Sequence, residues 1–497
     1  MTRRVTFWHA SNPKIAAVAS QSGAAAVLGC FLVLFGWSPA AGRAGEDQPG
    51  GAAIAVVATA ILPEVTLAEP RSDIPGSLPV TLGGLSDMVL VERPQTGTTF
   101  TLRMLTDRGP TNKITVAGEK RRVFLNPSFA PKILDVVVSG FTAAKASATP
   151  VDLQATIRAV RSLRTGRGKV VTGRPNGLSR DESVAKPDGT AWLPPDPDGV
   201  DPEGLAIQAD GSWWITEEYR PSLLYCDSKG TALTRYVPRG IRLREAEMDV
   251  YDNLPARYSR RKDNRGFEAT ALSPDEKILW ALLQSPLEFP DPKAAAVTGN
   301  VRLLAFDTVA RRPAAEYIYR LGDPVHPAYS STGVRPEDGK LCAMAAIDEN
   351  SLLVLEQSDA GEAKLYRCRW KDATDTLSDD RPFEVIGNLR EKGITCLEKT
   401  LVADLALLLP QLAADITDGR WRPEPGASVS GLKLEGLAIL DSRHVIIGND
   451  NDFNVDHLLD HEKPARRSCL WVIELGRALG GTQAQSRFKR QFSPGNQ

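Results

Sequence analysis

The chain has 497 residues and a formal net charge of −1. A balance this close to neutral provides no global field for a polyanion and argues against nucleic acid as the partner. A hydrophobic fraction of 42% supports a large core, and 41 glycines and 35 prolines scattered among short apolar runs point to many turns between short strands rather than to disorder.

Arg3, Arg4 and Lys14 make a basic start, followed by an unbroken apolar run from Ala24 to Trp37 and small residues at Ser38-Pro39-Ala40 and Gly42-Arg43-Ala44. This layout predicts a secretory signal peptide over 1–44, with cleavage near Ala40 or Ala44. The apolar run is short of the roughly 20 residues a membrane span needs, so no stable span is expected after cleavage; an uncleaved N-terminal anchor is the alternative. Cys30 lies inside the apolar run rather than at its end, which argues against lipidation. Residues 45–70 read as a poorly ordered leader, or as a first strand within Gly45 to Glu64. The main domain is expected over 71–480, with a polar tail over 481–497.

A repeated unit organises the main domain. Each copy has a short signature, an Asp- or Gly-rich turn, and an apolar strand ending in acidic or amide residues. The copies begin at Gly83-Gly84-Leu85-Ser86, Glu203-Gly204-Leu205-Ala206, Phe267-Glu268-Ala269-Thr270, Met344-Ala345-Ala346-Ile347 (a degenerate fourth) and Glu435-Gly436-Leu437-Ala438. Each unit reads as a hairpin of two β-prone strands. Five such units, with a sixth expected within Ala130 to Val171, predict an all-β chain folded as a six-bladed β-propeller with long inter-strand loops. A pair of β-sandwiches is the alternative. Val151 to Ser162 and Thr400 to Ala414 read as short helices, the second carrying Leu401, Leu405, Leu408 and Leu412 at helical spacing.

In a propeller the same position in several repeats converges near one axis. Glu203, Glu268 and Glu435 occupy such a position, with Asp107, Asp201, Glu217, Glu218, Gln284, Glu356, Asp450 and Asp452 as expected neighbours. Crowded carboxylates must be solvated, protonated, paired with cationic side chains or bound to a cation. Oxygen ligands suit Ca²⁺ better than zinc or copper, so Glu203, Glu268, Glu435, Asp450 and Asp452 are candidate calcium ligands. The alternative is that each glutamate braces its own blade through backbone N–H groups. Arg108, Arg220 and Arg265 flank the signatures; each is a candidate for gripping a phosphate or carboxylate, or an internal partner of the neighbouring acids. His457 and His461, four apart, supply too few ligands for a metal by themselves. The five cysteines of the main domain are an odd number without a Cys-x-x-Cys motif; they read as mostly buried thiols, with one or two disulfides as an alternative. No Gly-x-Ser-x-Gly elbow, Walker loop, dinucleotide fingerprint or Arg-x-His-Gly motif is present.

Four stretches, GGLSDM with LTDRGP, DPEGLAIQADGSWWITEEYRPSLL, NRGFEATALSPDEKILWALLQSPL and LEGLAILDSRHVIIGNDNDF, fall in order between Gly83 and Phe453. On these motifs the chain resembles the phytase-like family, labelled esterase-like activity of phytase. The resemblance implies an exported bacterial propeller. By comparison with calcium-dependent propeller phytases, it also implies phosphoester hydrolysis at an acidic central channel. Arg220, Ala269 and a fourth repeat without its glutamate depart from the family pattern. The resulting expectation is calcium-assisted hydrolysis of a small phosphorylated molecule, with Glu217 or Glu218 activating water and Arg265 neutralising phosphate. A non-catalytic binding or scaffold propeller in the periplasm and a carboxylic-ester hydrolase are the other readings.

Overall fold

The computed structural model describes residues 53–92, 98–142, 149–178, 182–322, 338–358, 361–419 and 432–480. The signal-peptide region and the polar tail expected from the sequence lie outside them. The regular structure of the described residues is mainly β-strand, with short 3₁₀ turns and two short α-helices, Leu409–Ile416 and Val455–Leu459.

All five repeated units fold as antiparallel hairpins, and each is the inner half of a four-stranded blade. The first blade runs Leu85–Glu92, Phe100–Thr106, Lys132–Ser139 and Val151–Ser162 from the inside out. The second runs Pro202–Ile207, Trp213–Glu217, Ser222–Cys226 and Thr231–Pro238, with Asp249–Leu254 added in parallel at its edge. The third is Phe267–Leu272, Ile278–Leu283, Asn300–Asp307 and Arg312–Arg320, and the fourth is Gly339–Asp348, Ser351–Ser358, Ala363–Arg369 and Glu398–Asp404. The fifth combines Lys433–Ile439, His444–Asp450 and Cys469–Glu474 with the N-terminal strand Ala55–Ile61. The innermost strands pack side by side in the order first, second, third, fourth, fifth and back to the first, so the ring closes.

The described residues therefore hold five blades. The segment expected to supply a sixth, Ala130 to Val171, forms the outer half of the first instead. Val151–Ser162, read as a helix, is a strand: Leu153, Ala155 and Ile157 alternate with Gln154, Thr156 and Arg158, and this period of two decides the outcome against a four-residue apolar spacing. Thr400 to Ala414 is helical only at its end. Glu398–Asp404 completes the fourth blade, Asp404 caps a single 3₁₀ turn by accepting the Ala406 N–H (3.0 Å), and the helix starts at Leu409. Of the two readings of the leader, the strand is realised, at Ala55–Ile61.

Strands buried on both faces explain the apolar runs. In Trp213-Trp214-Ile215, Trp213 and Ile215 pack with Leu105 and Ile133 towards the first blade, whereas Trp214 packs with Phe267 and Phe306 towards the third. Close approach of blades fixes Gly204: a Cβ there would lie 2.3 Å from Thr216 Oγ1 and 2.9 Å from the Thr270 nitrogen. Cys226, Cys342, Cys368, Cys396 and Cys469 are all free thiols, so the disulfide alternative is not realised.

Candidate functional site

Each inner hairpin slips register by one residue near the start of its first strand. The slips fall between Leu85 and Asp87, Pro202 and Gly204, Phe267 and Ala269, Leu341 and Ala343, and Leu434 and Gly436. The residues left out of the ladder are Ser86, Glu203, Glu268, Cys342 and Glu435. A bulge re-aims its side chain out of the regular alternation. Five-fold equivalence thus gathers three carboxylates, a thiol and a hydroxyl at one end of the ring. The glutamate missing from the fourth repeat is replaced by Cys342, because the true match to Glu-Gly-Leu-Ala is Cys342-Ala343-Met344-Ala345, two residues earlier than the sequence pattern suggests.

The grouping is visible in the electrostatics. Burial pushes Glu203 well above the usual carboxylate range, and the charges of Glu268, Asp201 and Glu218 add to the push. Glu268 is raised by burial, then by Glu218 and Glu435. Glu218 is pushed up to about 8 by burial and Asp201, against the pull of Arg108, Arg265 and Arg261. Burial and then Asp450 carry Glu435 to about 8 as well. Asp107 is raised by burial, Asp450 and Asp201. Cys342, between Glu268 and Glu435 in ring order, is raised by burial and by those two charges.

Among the described residues, Asp201, Glu203 and Glu218 bring carboxylate oxygens within 4.8 Å of one another, all three side chains being buried. Asp201 is also held by Arg108, whose guanidinium lies 3.0 Å away and whose backbone N–H donates at 3.1 Å. Arg108 is therefore an internal partner of the cluster. Among the described residues, Glu268 Oε2 is buried without a hydrogen-bond partner. Such an orphaned oxygen beside an all-oxygen donor set fits a hard cation, which lowers the repulsion that raises these carboxylates.

Most of the other expected residues are engaged by partners of their own. Glu217 is fully buried, paired with Arg235 at 2.8 Å, and accepts from the backbone N–H groups of Tyr219 and Arg220 (both 3.0 Å) and from Ser222 Oγ (3.0 Å). Its oxygens are consumed in holding its own blade, the bracing role open to these acids from the start. Arg220 is buried in the same turn, its N–H on Glu217. Asp450 and Asp452 are bridged by Lys433, at 3.1 Å from Asp450 and in direct contact with Asp452. Glu356 accepts from Tyr319 Oη (2.7 Å), the Gly322 N–H (2.6 Å) and Lys399 Nζ (2.6 Å). His457 and His461 meet edge to face at 5.3 Å, and His457 Nδ1 lies 2.7 Å from the Lys463 carbonyl. Arg265 differs from the other cations: it is half-buried, acts on both Glu218 and Glu268, and has only a 3.5 Å contact to the Gly339 carbonyl and no ion pair among the described residues.

Two residues that the sequence pattern did not single out also shape the cluster. Arg261 reaches from the third-blade approach to the Tyr219 carbonyl and pulls on Glu218. Gly266 lies so close over the second blade that a Cβ would sit 2.1 Å from the Glu218 carbonyl oxygen. Asn264-Arg265-Gly266-Phe267 held the signal for both the glycine and its neighbour, but not for what they face.

Fold and site together define a β-propeller with a buried acidic cluster at one end of its axis. Within that class, the chain belongs to the phytase-like family described as esterase-like activity of phytase, whose model matches residues 80–453. A protein of Arthroderma benhamiae described as an uncharacterized secreted protein is 26% identical over 186 residues, covering 34% of this chain and 36% of the relative. The chain thus spans about a third of the length of that relative. Among solved structures, Pseudomonas fluorescens PhoX in complex with vanadate is 9% identical, covering 86% of this chain and 97% of that one at a TM-score of 0.34. The PQQ-bound aldose sugar dehydrogenase of Streptomyces coelicolor is 11% identical, covering 86% and 99% at a TM-score of 0.30. No helix of the described residues is long and apolar enough to cross a membrane.

Proposed function

We propose that the chain is an exported hydrolase of a small phosphoester that uses a divalent cation, calcium by its donor chemistry. The reading is carried by the convergence of Asp201, Glu203 and Glu218 to within 4.8 Å beside the orphaned Glu268 Oε2. Membership of the phytase-like family supports the ester-hydrolysis class. The basic head and apolar run of residues 1–44, together with a relative described as secreted, support export to the periplasm or the outside.

Asp201, Glu203 and Glu218 would hold the cation, with only oxygen donors, as calcium prefers. When bound, such an ion supplies positive charge against a phosphoryl group and activates water. Arg265 faces the same cluster with donors to spare and would grip a phosphate oxygen pair. Glu268 Oε2 is the carboxylate oxygen left to accept a proton from attacking water, and burial raises its basicity. Glu218, an expected base, is better used as a ligand, and Glu217 has no oxygen to offer.

The test is phosphate release from a panel of phosphomonoesters and phytate by the purified chain, with calcium and with a chelator. Calcium-dependent release, abolished in Glu203→Gln and weakened in Arg265→Met, is expected. Release that persists in the chelator, or survives Glu203→Gln, would overturn the reading. A folded chain with no release under any condition would favour the binding propeller.

A further inference from the structure

We propose that the outer strands of the second blade, on the face turned to the third, bind a neutral carbohydrate. The face is built by cross-strand rows on Ser222–Cys226, Thr231–Pro238 and Asp249–Leu254. Tyr225 stands opposite Thr234, Thr234 is beside Asp249, and Tyr236 is beside Tyr251. Because side chains alternate along a strand, Asp249 and Tyr251 share this face, and Glu247, in the bend just before the strand, lines the same cleft. A cleft of about 420 Å³ lies over it, lined by Tyr225, Leu233, Thr234, Glu247, Asp249 and Arg311, the last reaching over from the third blade.

Tyr251 is not part of this lining but stands next to it, on the same face and two residues along the strand from Asp249. Tyr251 stacks on the buried Tyr236 at 5.7 Å and 21° and is itself 52% exposed. A tyrosine fixed from behind and open in front offers a flat apolar face at low entropic cost. Around it the polar groups have capacity left. The Asp249 carboxylate makes no hydrogen bond or ion pair among the described residues. Among the described residues, the Glu247 carboxylate accepts only from Thr165 Oγ1 (2.5 Å). Arg311 lies 4.2 Å over the Tyr225 ring and donates to Tyr236 Oη (3.1 Å), but makes no ion pair among the described residues although two carboxylates line the same cleft.

A ligand that reaches from the cleft to the neighbouring Tyr251 needs an apolar face to stack on that ring and an edge of groups that donate to carboxylates and accept from a guanidinium. A sugar ring, with axial C–H groups on its faces and hydroxyls round its edge, has both. Two carboxylates against one guanidinium leave the cleft negative, which disfavours uronic acids and phosphorylated sugars. The site is on the rim, away from the acidic cluster, and does not depend on the proposed hydrolysis.

The test is calorimetric titration of the full chain with cellohexaose, chitohexaose and an acidic oligogalacturonide. Millimolar or tighter binding of a neutral oligosaccharide is expected, weakened about tenfold or more in Tyr251→Ala and in Asp249→Asn, with little binding of the acidic one. These surface substitutions should leave thermal unfolding unchanged, so a lost signal reports the site rather than the fold. Absence of binding to either neutral probe at millimolar concentration would overturn the proposal. So would binding that Tyr251→Ala leaves intact, or an equal preference for the acidic chain.

Discussion

Asp87 Oδ2 accepts the backbone N–H of Leu205 at 2.8 Å, tying the innermost strand of the second blade to that of the first. Its other oxygen takes the Met88 N–H at 2.8 Å, and the Leu437 N–H of the fifth blade is a further donor. One buried carboxylate thus joins three of the five strands that line the axis. Asp87→Ala should strand at least two buried N–H groups at about 1–3 kcal/mol each, and so lower stability by a few kcal/mol in urea unfolding. Asp87→Asn, which keeps an acceptor, should cost clearly less. Equal losses in the two variants would show that the carboxylate does not act through these bonds.

Calcium should stabilise the folded chain through Asp201, Glu203 and Glu218. At a hundred times the dissociation constant the gain is about 2.7 kcal/mol, visible as a higher melting temperature. Glu203→Gln should erase most of that shift. Asp452→Asn, at the carboxylate already neutralised by Lys433, should retain it. A shift lost in Asp452→Asn but kept in Glu203→Gln would move the ion to the Lys433 side of the ring.

In the presence of a chelator, stability should fall as pH rises. The folded-state values of Glu218 and Glu435 are about 8, against an ordinary 4.5. Between those limits the folded chain retains protons that the unfolded chain has released, so each pH step favours unfolding. The contribution is most favourable to the folded state below the ordinary value and is lost through about 8. Melting temperatures measured across that window should decline without calcium and decline less with it. A rise over the same window would mean that the cluster is ionised and paired in the folded chain.

Arg235→Met should destabilise the chain by about 3–5 kcal/mol, because it leaves Glu217 charged or protonated in a site with no exposure. Glu217→Gln should be milder, and its folded fraction should turn over substrate normally if hydrolysis occurs at the acidic cluster. Loss of turnover in Glu217→Gln at full stability would restore this glutamate to the chemistry.

Gly266→Ala should damage the site more than the fold. The new methyl would meet the Glu218 carbonyl oxygen at 2.1 Å, so either the Asn264–Gly266 loop or the Glu218 backbone must shift. Calcium-induced stabilisation should drop several-fold while the chelated protein melts within a few degrees of the parent. Unchanged calcium stabilisation would mean the loop yields without disturbing Glu218.

Much of this architecture could be read from the residues because it repeats locally. Glu203-Gly204-Leu205-Ala206 and Asp210-Gly211 are a strand and a turn whose chemistry needs no tertiary context, and the same holds for the other hairpins. The blade count was less legible. Val151 to Ser162 carries both an alternating and a helical spacing, and only pairing with Lys132–Ser139 selects the first. At the site, the positions of Glu203, Glu268 and Glu435 were legible as a repeat, but the register slip that turns them out of the ladder was not. Nor were the partners that divide the acids into free and spent ones. Arg108 and Asp201 are 93 residues apart, and Lys433 and Asp452 are 19 apart, and nothing local to either side chain announces the other.

The N-terminal strand Ala55–Ile61 lies between Cys469–Glu474, which it pairs in antiparallel fashion, and Val151–Leu153, which it pairs in parallel. It is at once the last strand of the fifth blade and a clasp on the edge of the first. The circle therefore has one seam, and that seam is made of the earliest and the latest segments of the domain. Until Cys469–Glu474 is available, Ala55–Ile61 has no antiparallel partner, and the ring stands open however well each blade has formed. Closing the ring therefore covers the edges of two blades with one strand.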